Sequence, residues 1–304
     1  MDNYQRALNY ETIVYVLKKT DSFCWALFKQ IENECDVKET LPYNINTYAK
    51  IIGVDVAALN EAYTRCRLAF EKLSPDTVII DQNSPLWPEG CTEVPFLYLL
   101  GDTSLLTKRG ISIVGTRNPS NRGMQLTREV VDSLGDYGFV IISGLAMGID
   151  GVAHIEALAK DFKTIGVIGT PINAVYPKNH EKLQSLVAQY GLLVSQFAPS
   201  RTVMQYFFMQ RNLLMAQIAQ GSLVIESRDG GGGVKQALYS EKLGKKVFVL
   251  KETYDNRTFL WPRKFKEPVI IASTKSTGSA VKKALQQPRT STKKVSSDIQ
   301  PSLF

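Results

Sequence analysis

Apolar positions change their period twice along this chain. Over residues 1–73 they recur at helical spacing: Leu8, Ile13, Val16 and Leu17, then Trp25, Leu27, Phe28 and Ile31, then Leu59, Ala62, Tyr63, Cys66, Ala69 and Phe70. Asp55, ahead of VAALNEAY, stands where a helix N-cap belongs. A small helical N-terminal domain over 1–76 is therefore expected. The turn residues of SPD (74–76) and NSPLWPEG (83–90) then flank a short strand, Thr77–Asp81.

From about residue 94 short β-rich runs alternate with helical stretches. The runs are Ile111–Val114, Val140–Ile142, Thr164–Ile168, Leu192–Ser195, Ser222–Glu226 and Lys246–Leu250. That alternation predicts an α/β fold with a mainly parallel sheet, right-handed crossovers and helices on both faces. Ligands in such sheets bind beyond the carboxyl ends of the strands, so the loops 115–123, 143–150, 169–180 and 227–233 should share one rim. All four lie between Val94 and Leu250, which predicts that this span folds and binds alone. Past Tyr254 the pattern weakens to a last strand over Pro268–Ser273 and a short helix over Ser279–Gln287. The α/β domain is assigned 77–273 and a basic tail 274–304, with disorder expected from Pro288 onward.

Composition narrows the class. Apolar content of 44% and charged content of 21% suit a globular protein. No apolar run approaches the ~18 residues of a membrane span, and MDNYQRALNYE has no secretory pattern, so a cytoplasmic protein with no membrane association is expected. Cys24, Cys35, Cys66 and Cys91 lack metal or disulfide spacing and read as free thiols. The two histidines, His154 and His180, have no second ligand pattern, so neither a metal nor a cofactor is expected. The net charge of +7 favours an anionic partner. From Lys275 to Phe304 six Lys or Arg stand against one Asp, a tail expected to add only a modest, salt-screened increment.

Residues 111–154 hold two strand–loop–helix units in tandem, each breaking at a small-residue turn (Gly115-Thr116; Ser143-Gly144). Such turns aim backbone N–H groups and a helix N-terminus at an anion. Arg117 after the first turn suits phosphate, and Lys178 in YPKN is read the same way; Arg122 and Lys163 are weaker candidates. Ser143, Gly144, Ala146 and Gly148 are small enough to let a ligand approach the backbone. Asp150 is read as a helix cap and His154 as a packed helix residue. Tyr176 either stacks on a base or packs under its loop. Arg211-Asn212 either faces the rim or braces it. Gly230–Gly233 reads as a further anion loop.

The ordered motifs GTRNPSNRG, SGLAMGIDGVAH, VIGTPINAVYPKNHEKL, QRN and LVIES resemble the DNA-processing protein DprA (Smf) family over about residues 77–250. The resemblance implies a Rossmann-like core that binds single-stranded DNA, a homodimer, and a role in loading a RecA-type recombinase during natural transformation. With the residue readings it gives a DNA- and phosphate-binding set of Gly115, Thr116, Arg117, Ser143, Gly144, Ala146, Gly148, Gly169, Thr170, Tyr176, Lys178, Asn179, Arg211, Asn212, Gly231, Gly232 and Gly233. Four family patterns are altered. Gln196 follows Ser195 where Glu is usual; Phe208–Leu213 lacks the Pro and second Arg of F-P-x-R-N-R; Gly231–Val234 replaces S-G-S-L; Lys251-Glu252 replaces P-G. The chain is therefore a diverged member.

Two other functions remain open at this point. A nucleotide-sensing domain could use the same rim to hold a small nucleotide and signal to a partner, for example in anti-phage defence. The glycine run also resembles the P-G-G-x-G-T-x-x-E signature of LOG-type nucleotide phosphoribohydrolases, but Ala237 stands where that chemistry needs Glu and Val234 where it has Thr. No nucleophile–base pair is recognisable, so the protein is expected not to be an enzyme.

Overall fold

The computed structural model describes residues 2–34, 41–92 and 94–287. Four helices come first: α1 (Asn3–Leu17), α2 (Asp21–Glu34), α3 (Ile45–Ile52) and α4 (Val56–Phe70). Asp2 caps α1 through the Gln5 amide at 2.8 Å, and Asp55 caps α4 through Ala57 and Ala58. The rest alternates: β1 (Val78–Asp81), β2 (Phe96–Gly101), β3 (Gly110–Val114), α5 (Asn121–Asp136), β4 (Val140–Ser143), α6 (Ile149–Ala159) and β5 (Thr164–Val167). There follow α7 (Glu181–Tyr190), β6 (Leu192–Ser195), α8 (Phe207–Ile218), β7 (Gly221–Val224), α9 (Gly232–Lys242), β8 (Lys246–Leu250), α10 (Lys251–Asp255), β9 (Val269–Ile271) and α11 (Thr277–Gln286).

The strands form one sheet in the order β1-β2-β6-β5-β4-β3-β7-β8-β9. β3 to β9 pair in parallel; β1 and β2 add an antiparallel edge. Sequence reasoning missed β2, because FLYLL is a continuous apolar run without alternation. Both its faces are buried. Phe96 and Tyr98 pack toward the N-terminal helices, Leu97 and Leu99 toward the opposite face.

Helices α5, α6 and α11 cover one half of a sheet face through Leu126, Val130, Ile149, Ala153 and Val281. Helix α7 and the four N-terminal helices cover its other half, where Leu8, Tyr10, Phe28 and Phe70 join Phe96, Tyr98, Ile168 and Leu193 in one cluster. Helices α8 and α9 cover the opposite face. The N-terminal helices thus share the core of the sheet, and the change at residue 76 is one of element type. Whether the span from Val94 to Leu250 folds without them is a matter for truncation. The ordered body also runs past residue 273: α11 buries Val281 and Ala284, and the Gly278 amide donates to Ser133 Oγ at 3.0 Å. The disorder expected from Pro288 lies outside the described residues.

Candidate nucleic-acid interface

β4 follows β3 on one side while β7 returns to its other side, so the direction of winding reverses at β3. Two crossovers diverge there and leave a crevice at the carboxyl ends of the strands. A cleft of about 1290 Å³ occupies it. It is lined from all four predicted loops, and by residues 203–206, Phe208 and Met209 ahead of and within α8. A smaller space beside it adds Gly144, Gly169 and Pro177.

The first loop is tied to its neighbours. The Thr116 amide donates to the Glu226 carbonyl at 2.6 Å, and the Thr116 carbonyl accepts from the Ile149 amide at 3.2 Å. A Cβ at Gly115 would lie 2.5 Å from Ile149 Cγ1, so this glycine serves packing between β3 and α6. The N-terminus of α5 is already occupied. Glu226 accepts from the Ser120 amide at 3.2 Å and from Ser120 Oγ at 2.8 Å, and its carboxylate fills the space beside Gly123. The favourable anion position at that helix is taken by the protein's own carboxylate. The α5 N-terminus is thus satisfied from within the protein. What the loop presents outward is Arg117, exposed at the cleft edge and in no salt bridge among the described residues.

The second loop is also committed internally. Asp150 lies inside α6, and its Oδ2 accepts the Gly144 amide at 3.1 Å; it ties the loop down and does not cap the helix as expected. Ser143 is fully buried, its Oγ donating to the Ile113 carbonyl at 2.6 Å. Gly148 adopts φ +80°, and a Cβ there would strike the Thr116 carbonyl. Arg211 is buried: its guanidinium donates to the carbonyls of Gly144 and, at 2.8 Å, Val167, and to Asn212 Oδ1 at 3.0 Å. Of the two roles left open for Arg211, the hydrogen bonds are those of a brace. Burial pushes the Asp150 carboxyl up, opposed by the Arg211 guanidinium. The same burial lowers the guanidinium, opposed by Asp150. The two charges support each other under the loop.

In the third loop Thr170 is buried, its Oγ1 donating to the Ala174 carbonyl at 3.1 Å. Gly169 packs against the Phe208 ring. Tyr176 is about half exposed at 48% and rests on Phe208 with centroids 5.0 Å apart, so one of its faces is free toward the cleft. Lys178 and Asn179 sit on an exposed turn and do not line the cleft. His180 ties that turn to the second loop through Nδ1 and the Leu145 carbonyl at 3.0 Å. Arg122 pairs with Glu252 at 2.8 Å, and Lys163 precedes β5 at the amino ends of the strands, so neither lines the cleft. His154 is fully buried with Nδ1 2.8 Å from Thr164 Oγ1, and desolvation drops its pKa to about 3.

The fourth loop leads into α9. Gly231 is its N-cap and brings no side chain, leaving the first amides of the helix open. A Cβ on Gly233 would lie 3.0 Å from the Gly115 nitrogen, so Gly233 lets two loops meet. Around Gly232 there is no neighbour within 4 Å of such a Cβ, and it is here that the run opens to the cleft. Arg228 and Lys235 are exposed on either side of it and line the cleft. Sequence reasoning missed both, although they flank the glycine run. It also missed Asn118, Gln236, residues 203–206, Phe208 and Met209, including the half-exposed Tyr206. Their local signal was an aromatic- and methionine-rich stretch just before a helix.

The family model for "DNA recombination-mediator protein A" matches residues 78–262, more than half of the chain. The chain belongs to this family. DNA processing protein DprA of Streptococcus pneumoniae is 30% identical over 249 residues, 80% of this chain and 86% of that protein. DprA of Bacillus subtilis is 31% identical over 189 residues, 61% of this chain. The matched part spans 64% of the B. subtilis relative and 42% of protein Smf from Synechocystis, less than two thirds of each. The solved S. pneumoniae DprA structure superposes with a TM-score of 0.69 at 23% identity, covering 93% of this chain and 98% of that one, and so shares its fold. Helicobacter pylori DprA, whose structure was described for its single-stranded DNA binding mode, superposes with a TM-score of 0.60 at 25% identity over 68% of this chain and 96% of that one. The resemblance read from five motifs is thereby established as membership, and the α/β fold with it. Among the described residues no helix is long and apolar enough to cross a membrane.

Proposed function

We propose that this DprA-family protein binds single-stranded DNA in the cleft and acts in DNA processing without turning over its ligand. One observation carries the reading. Arg117, Arg228 and Lys235 are exposed around the cleft with no salt bridge among the described residues, beside the open faces of Tyr176 and Tyr206, while the one carboxylate among the described lining residues, Asp150, is buried and faces the charge of Arg211. Unpaired cations with exposed rings suit a backbone of phosphates carrying unstacked bases. The small residues of the second loop bring protein segments together, so phosphate contact falls to side chains and to the first amides of α9. The non-catalytic reading is supported by Ala237, buried in the core at the position where hydrolase chemistry needs a carboxylate, and by a His154 held neutral and enclosed. A homodimer, a RecA-type recombinase as partner and a cytoplasmic site of action belong to the same proposal by family resemblance.

The test is a titration of labelled oligonucleotides against mono- and dinucleotides across a range of salt. A footprint of several bases with steep salt dependence is the expected result. Tight, salt-insensitive binding of a single nucleotide would replace this reading with the nucleotide-sensing one.

A further inference from the structure

The segment between α10 and β9 carries Arg257, Arg263, Lys264 and Lys266 within ten residues, all exposed; its one acidic residue, Glu267, follows this basic run. It is irregular, yet it is pinned to the fourth loop. Trp261 is fully buried among Val247, Val249 and Phe265, and its Nε1 donates to the Ser227 carbonyl at 2.8 Å. The Leu260 amide donates to Asp229 Oδ2 at 3.3 Å. Ser227 and Arg228 line the cleft, so the segment begins where the cleft ends.

Its cations are little used by the protein. Arg263 lies over the Tyr254 ring at 5.2 Å and donates only to the carbonyls of Tyr254 and Phe259. Lys264 stands 3.6 Å from a half-exposed Asp229. Glu241 meets the segment through the Lys266 amide at 2.7 Å and leaves the Lys266 ammonium free of a salt bridge. Leu260, 61% exposed, puts a large apolar side chain on the same surface. A buried tryptophan beneath exposed cations fixes a basic surface in place, with only Lys264 paired to a carboxylate among the described residues. The entropy cost of ordering the segment is met by folding and is not charged to ligand binding.

We infer that Arg257–Lys266 is a second DNA-binding surface, continuous with the cleft, which takes the phosphates of a single strand where it leaves the α9 end. The inference rests on the proposed cleft function but assigns residues outside it. In the full chain, the variant Arg257→Gln/Lys264→Gln/Lys266→Gln removes three charges and spares Arg263, whose hydrogen bonds hold the segment's shape. Binding is measured against salt with an oligonucleotide of about four nucleotides, which fills the cleft alone, and with one of about twenty.

The long oligonucleotide should bind the triple variant with a log–log salt slope shallower by about 2, at about 0.7 for each phosphate no longer neutralised, and the short one should bind unchanged. Arg117→Ala should weaken both. An unchanged slope for the long oligonucleotide in the triple variant overturns the inference and leaves the cleft reading standing. So does equal binding of the two lengths by the unmodified protein. If the unmodified protein binds neither, both readings fall.

Discussion

Arg201 and Glu11 lie 190 residues apart in the chain and form a buried bidentate ion pair, with Arg201 Nη2 2.7 Å and Nε 2.9 Å from the carboxylate. Asp21 takes the remaining side of the guanidinium at 2.6 and 2.9 Å. Burial pushes the Glu11 carboxyl up against the attraction of Arg201, while the same guanidinium holds Asp21 below its ordinary value. The pair fastens the N-terminal helices to the segment that leads, through Val203–Tyr206, into the cleft wall. Arg201→Met leaves two carboxylates uncompensated and should destabilise the protein by about 3–5 kcal/mol in urea unfolding. Deleting residues 2–73 uncovers the apolar surface of Phe96, Tyr98 and Leu193, so the remainder should aggregate or bind a hydrophobic dye; a monodisperse, cooperatively unfolding fragment would contradict the shared core.

Arg117→Ala should lower single-strand affinity alike for all base sequences, because a phosphate contact carries no base information. The salt slope should fall by about 0.7, the increment of one neutralised phosphate on a single strand. The thermal midpoint should stay unchanged, since Arg117 makes no salt bridge among the described residues. Anisotropy titrations on several homopolymers check this.

Arg211→Met should behave differently, costing affinity and stability together. It removes the donor to the Gly144 and Val167 carbonyls and leaves Asp150 buried without its counter-charge. A loss of about 3 kcal/mol in urea is expected. Weakened binding at an unchanged unfolding midpoint would show that Arg211 contacts the ligand directly.

His154 gives the acid response a defined window. Its folded pKa is depressed to about 3 from 6.5, so below pH 6.5 the unfolded chain takes up a proton that the folded one refuses. Stability is full above 6.5 and is lost progressively toward pH 3, with about 2 kcal/mol gone at pH 5. His154→Asn offers the Thr164 hydroxyl a similar partner and does not titrate. The gap in unfolding free energy between pH 8 and pH 5 should shrink by that amount, and an unchanged gap would count against the neutral, buried state.

Much of the architecture was decided by local sequence. The parallel strands are short apolar runs, and Asp55 and the turn glycines mark element ends through local backbone chemistry. Those signals act over a few residues, so they survive without knowledge of the rest of the chain, and they placed the four loops on one rim. Tertiary structure decided which side chains the rim presents. Ser143 and Arg211 have the composition of ligand-binding residues, yet each is consumed by a carbonyl brought beside it by folding, from Ile113, Gly144 or Val167. Glu226 fills a helix N-terminus that begins 105 positions earlier in the sequence, at Asn121. Arg122 pairs with Glu252 for the same reason. The availability of a polar group depends on what lies within about 3 Å of it, and across such separations that distance is set by the packing of the whole sheet.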